Sequence, residues 1–123
     1  MARRLSPSKR ENTMSTQCIE LTDSTFEAET RSGVTLIFFW DPFESGCRRE
    51  WKIIEKAADA IGKHLKIGRC SFEKSPVLAE RLAIRSIPTT LLFKDGREKE
   101  RLVGLRHEGT LIRRIMEYLE QDV

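Results

Sequence analysis

The 123-residue chain has no C-x-x-C pair. Its three cysteines, Cys18, Cys47 and Cys70, are odd in number and far apart. That excludes a fully paired disulfide framework and a structural zinc site of ordinary spacing. Histidine is scarce. His64 and His107 supply no metal-ligand spacing and read as surface residues, so no metal is expected. Seven glycines are scattered, and none forms G-x-G-x-x-G or a phosphate loop, so no nucleotide cofactor is expected. No apolar run approaches the roughly 20 residues of a membrane helix, and no membrane partner is expected.

What is present is a globular balance: 39% hydrophobic and 33% charged residues, enough for one core and too short for two. The net charge of +3 comes with both signs interspersed. The basic excess sits at the start, in Arg3, Arg4, Lys9 and Arg10. Residues 1–14 read as a disordered basic tail. Two alternatives stay open: a short basic arm touching nucleic acid or an acidic membrane, or an upstream extension before a start at Met14. No apolar stretch follows the basic residues, so they do not read as a secretory leader, and a cytoplasmic protein is expected. Nucleic acid is not an expected partner.

From residue 15 the pattern becomes periodic. Cys18–Leu21 reads as a short strand, followed by a short helix carrying Phe26 with Asp23 or Ser24 as N-cap. Val34–Trp40 is continuously apolar, β-branched and aromatic, which suits a strand buried on both faces. From about Ser45 to Leu65, Trp51, Ile54, Ala58, Ile61 and Leu65 are spaced 3, 4, 3 and 4 and form one helical stripe. Residues 65–72 read as a strand. Ser75-Pro76 opens a helix, with Ser75 as N-cap, Pro76 at its first position and Val77, Leu78 and Leu82 as the apolar face. Thr89–Phe93 is a strand, Lys94-Asp95-Gly96-Arg97 a hairpin turn, and 98–103 a charged edge strand. Leu111, Ile112, Ile115, Met116 and Leu119 stripe a final helix. The order β-α-β-α-β-α-β-β-α predicts an α/β domain over 15–123, a mixed sheet with helices on both faces.

Local strings in this order resemble the thioredoxin family. Leu21-Thr22-Asp23 followed by Phe26 is similar to its first strand and turn. Phe39-Trp40 is similar to the pair before its redox loop. Ile87-Pro88-Thr89, followed by Leu91–Gly96, is similar to its cis-proline segment and hairpin. Val103-Gly104 is similar to the small-residue stretch near its substrate groove. The resemblance implies the thioredoxin fold: a central mixed β-sheet flanked by helices on both faces.

It also implies a register without gaps. Trp40 is followed by Asp41-Pro42 and then Phe43-Glu44-Ser45-Gly46-Cys47. Phe43 then takes the family's aromatic position, Glu44 the attacking cysteine, and Cys47 the resolving cysteine. Disulfide reduction needs a low-pKa thiolate to attack and a second thiol to release the mixed disulfide. A Glu44 carboxylate suits a helix N-terminus but is no nucleophile toward sulfur. Phe38 aligns with the family's buried acid, Arg69 with that acid's lysine partner, and Lys52 with the proline that kinks the second helix. An ordinary dithiol disulfide reductase is therefore not expected.

Each candidate keeps two readings. Cys47 is either a monothiol forming mixed disulfides or a buried core residue. Ile87 and Pro88 either pair with an extended partner strand, with Phe43 and Gly104 beside them, or only shape a loop. Cys70 reads as core, and a Cys18–Cys70 bridge is imaginable. Trp40 and Trp51 read as core. The leading expectation is a protein- or peptide-binding or chaperone-type module, monomeric or weakly dimeric. The alternatives are a monothiol redox protein acting through Cys47 and an assembly factor that uses another face.

Overall fold

A strand that is apolar at every position is stable only where both faces are covered. The computed structural model describes residues 17–62, 64–105 and 107–120. It places Val34–Trp40 (β2) at the centre of a five-stranded sheet. The expected tail at 1–14 lies outside the described residues. The elements run β1 (Gln17–Leu21), α1 (Phe26–Thr30), β2, α2 (Ser45–Ile61), β3 (Leu65–Ser71), α3 (Pro76–Arg81), β4 (Thr89–Lys94), β5 (Arg97–Val103) and α4 (Glu108–Glu120). The strand order is β1-β3-β2-β4-β5. β3 is parallel to both β1 and β2, whereas β4 runs antiparallel to β2 and β5 antiparallel to β4.

The two-residue period of β2 divides the core. Leu36 and Phe38 join Ile54, Ala57, Ala58, Leu111 and Ile115 beneath α2 and α4. Ile37 and Phe39 join Phe26, Leu78, Leu91 and Phe93 beneath α1 and α3. These four β2 side chains are buried, each contributing about 1.5–3 kcal/mol of transfer free energy. At Gly68 the sheet surface is pressed so closely by Leu21 that a Cβ would lie 2.7 Å from Leu21 Cγ.

Several local expectations are corrected. α2 stops at Ile61 because Gly62 turns to φ +88°, so Leu65 begins β3 and does not extend the helical stripe. In α3 the buried residues are Leu78 and Ala79, while Val77 is exposed. Met116 of α4 is also exposed. α1 has Thr25 at its N-cap position with no side-chain cap. Asp23 instead reaches α3, where its Oδ1 accepts the Leu78 N–H at 2.8 Å. Ser75 makes no side-chain cap, and its hydroxyl hydrogen-bonds Cys70. The imagined Cys18–Cys70 bridge is absent: β1 sets Cys18 beside Ile67 and Leu21 beside Cys70, and all three cysteines are free.

Candidate functional site

β2 delivers the chain to Asp41, and a tight turn follows. Asp41 Oδ1 accepts the Phe43 N–H at 2.8 Å, and the Asp41 carbonyl accepts the Glu44 N–H at 3.2 Å. An aspartate bonding two residues onward is a common way to fix such a turn. The turn leaves Phe43 91% exposed. Glu44 has extended backbone (φ −101°, ψ 113°) and is the N-cap of α2. Its carbonyl accepts the Cys47 N–H at 3.0 Å. Its carboxylate accepts the Gly46 N–H at 3.4 Å, a long contact. The negative charge is favourably placed against the positive end of the helix.

Cys47 lies one helical turn on and faces inward, 3% exposed, within the α2/α4 core cluster. Burial pushes its thiol pKa up. A hydrogen bond with the Asp41 backbone pulls the other way, and the Glu44 and Asp41 charges push it up further. The thiolate, the reactive form, is therefore scarcer than for an exposed cysteine.

The cis-proline loop meets this turn at Gly46. The Ile87–Pro88 bond is cis. A Cβ at Gly46 would stand 3.4 Å from Pro88 Cδ and 3.8 Å from Leu105 Cδ2. These are ordinary van der Waals distances, so the loop and the helix start are packed against each other here. Pro88 is buried and Ile87 half-buried, packing against both core clusters. Gly104, at φ +85°, donates its N–H to the Pro88 carbonyl at 2.9 Å. Glu44, Gly46, Pro88, Gly104 and Leu105 thus converge, with Phe43 projecting beside them. Of the five large hydrophobics exposed among the described residues, Phe43, Val103 and Leu105 belong to this segment, which makes it an apolar surface.

Leu105 was not anticipated. Its only sequence signal is its place after Val103-Gly104. The second feature the sequence did not reveal is an aromatic clasp. The Arg69 guanidinium lies 4.7 Å from the Trp40 ring centre and 4.6 Å from that of Trp51. Phe38 stacks on Trp51 at 5.6 Å. With no buried acid at 38, the cation rests on ring faces, a favourable arrangement in itself. Trp40 and Trp51, expected in the core, are only half-buried. Among the described residues no group of His, Cys, Asp and Glu could hold a metal ion, and no helix is long and apolar enough to cross a membrane.

A sequence model of the Thioredoxin family matches residues 17–117. The thioredoxin of Listeria monocytogenes is 34% identical over 100 residues, covering 81% of this chain and 97% of its own length. That of Chlamydia trachomatis is 36% identical over 93 residues, covering 76% and 90%. That of Bacillus subtilis is 33% identical over 93 residues, covering 76% and 89%. Among solved structures, a point-mutant thioredoxin from Halobacterium salinarum superposes with a TM-score of 0.76 at 22% identity, covering 84% of this chain and 91% of that one. The fold is shared.

Proposed function

The chain belongs to the thioredoxin family, and from that premise we propose that it is a binding module, without dithiol chemistry, for an extended protein segment. The observation that carries this reading is the pairing at the start of α2. A carboxylate, Glu44, caps the helix, and the single thiol of the loop, Cys47, is buried with its pKa pushed up. No second thiol stands three residues away to resolve a mixed disulfide. What remains is an apolar surface of Phe43, Val103 and Leu105 around Ile87, Pro88 and Gly104. An extended segment docks there through backbone pairing at Ile87, and side-chain contacts supply selectivity. Glu44 places a carboxylate where a family thiolate would come and go. We place the domain in the cytoplasm, where an exposed thiol such as Cys18 stays reduced.

A second reading is favoured by the relatives, which are named thioredoxin. In it the Cys47 thiolate attacks a partner disulfide, forms a mixed disulfide and expels the partner's other thiolate. An external thiol then restores Cys47.

One experiment separates the two. Reduction of a model protein disulfide by dithiothreitol is followed with wild type and Cys47→Ser. The binding reading expects equal background rates in both. It also expects Phe43→Asp to weaken capture of a reduced, alkylated, unfolded polypeptide. Turnover that disappears in Cys47→Ser would overturn it in favour of monothiol exchange.

A further inference from the structure

The solvent face of α2 carries a row of one sign of charge. Arg48, Arg49, Lys52 and Lys56 are all exposed. At 3.6 residues per turn they fall within an arc of about 100° and along about 12 Å of helix. Among the described residues, none of the four side chains makes an ion pair or a hydrogen bond. Nearby carboxylates do not relieve them. Glu44 is turned to the Gly46 N–H, and neither half-buried Glu55 nor exposed Asp59 pairs with them.

The other charged surfaces are built differently. β5 alternates in sign from Arg97 to Arg101, and Arg101 meets Glu98 at 2.8 Å. Arg114 of α4 lies 3.9 Å from Glu100 and 3.8 Å from Glu117. Lys66 lies 3.6 Å from Glu29, and Arg69 lies 3.7 Å from Glu20. Like charges four residues apart, as in Arg48/Lys52 and Lys52/Lys56, work against a helix. An anionic partner laid along the row turns that repulsion into attraction.

The row is also short. Glu44 stands four residues before Arg48, and Asp59 three residues after Lys56. A long phosphate backbone following the helix would meet a carboxylate at either end. Surfaces that hold single-stranded nucleic acid add aromatic side chains for base stacking, and none of the exposed residues of α2 is aromatic. A helix that lies on lipid needs a free apolar face, whereas Ile54, Ala57 and Ala58 of α2 are buried in the core.

We propose that the exposed face of α2 docks a short acidic segment of a partner protein, whose carboxylates meet Arg48, Arg49, Lys52 and Lys56. This surface shares no residue with the apolar one around Pro88, and it holds whichever role Cys47 has.

Octaglutamate with an N-terminal fluorophore is titrated with the full chain and followed by anisotropy. Saturable binding is expected at about 20 mM salt, and weaker binding at about 200 mM. Arg48→Glu with Lys52→Glu is expected to weaken it about tenfold. Arg97→Glu with Lys99→Glu, at two exposed positions of β5, changes the net charge equally. That variant is expected to bind within about twofold of wild type. Circular dichroism checks the fold of both. Unlabelled octaglutamate, octathymidylate and phosphatidylserine vesicles then compete at equal charge concentration, and octaglutamate is expected to displace the probe best. The proposal is overturned by an unsaturable response or by equal losses in the two double variants. It is also overturned by octathymidylate or vesicles competing at least as well as octaglutamate, which would make the row a nucleic-acid or a lipid surface.

Discussion

The starts of α2 and α3 both set a carboxylate against free backbone N–H groups, but the carboxylates come from different distances. At α2 it is local: Glu44 reaches the Gly46 N–H two residues away, at 3.4 Å, from an exposed position. At α3 it is remote: Asp23 spans 55 residues to the Leu78 N–H, at 2.8 Å. The remote cap ties the β1–α1 loop to α3 and shares in the stability of the whole domain. The local cap ties nothing but its own turn, beside an apolar surface left open. The two ends satisfy the same electrostatic demand, one by cross-linking the fold and the other by remaining accessible.

The strongest test of that contrast is Glu44→Cys. If the α2 start retains redox-loop geometry, the variant forms a disulfide with Cys47 and gains disulfide-reducing turnover over background, lost again when Cys47→Ser is added. A variant that forms no internal disulfide under oxidation means that the register argument fails. Next in size is Asp23→Ala, expected to lower unfolding stability by about 1 kcal/mol and at most about 2, read from urea midpoints. Glu44→Gln is expected to cost less, about 0.3–0.5 kcal/mol by the same measurement. Equal costs for Asp23→Ala and Glu44→Gln would break the comparison.

The smallest effect concerns pH. The Cys47 and Cys70 thiols are both pushed up, in each case first by burial. The unfolded chain therefore ionises first as pH rises. The stability they contribute is complete below the unfolded thiol pKa of about 8.5 and is lost as pH rises through it toward the folded values. Urea midpoints above about pH 8.5 should fall, and fall less in Cys70→Ala measured against its own neutral-pH value.

The same two helix starts mark where the sequence was readable. Position was legible and partner was not. Pro76 at the first turn of α3 and the approximate start of α2 follow from local rules. That Asp23 would cap α3 does not, because the bond depends on how two loops meet across the sheet. Ser75 fits the cap pattern equally well, but the fold turns its hydroxyl to Cys70. β2 was legible throughout, since an unbroken apolar run demands cover on both faces, and the central place of Val34–Trp40 meets that demand. Leu65 fits the helical spacing, but Gly62, which reads in the sequence as weakening the last turn, ends the helix outright through its positive φ. At the site, Phe43, Glu44, Cys47 and Pro88 could be placed by family register. Leu105 and the Trp40–Arg69–Trp51 clasp could not, since neither carries a motif and both arise only when distant segments pack.

β1 has a consequence for the order of assembly. Among the described residues its only strand neighbour is β3, with Gln17 beside Lys66 and Leu21 beside Cys70. During synthesis β1 thus has no ladder to join until about fifty more residues have followed. Contacts that far apart in sequence close late and slow the search for the native state. β2 pairs with β3 across a shorter intervening segment, and that pair is the template on which β1 arrives. An element made before β2 and β3 is thereby paired after them, and until then the edge it presents to β3 is open to any other strand that can match it.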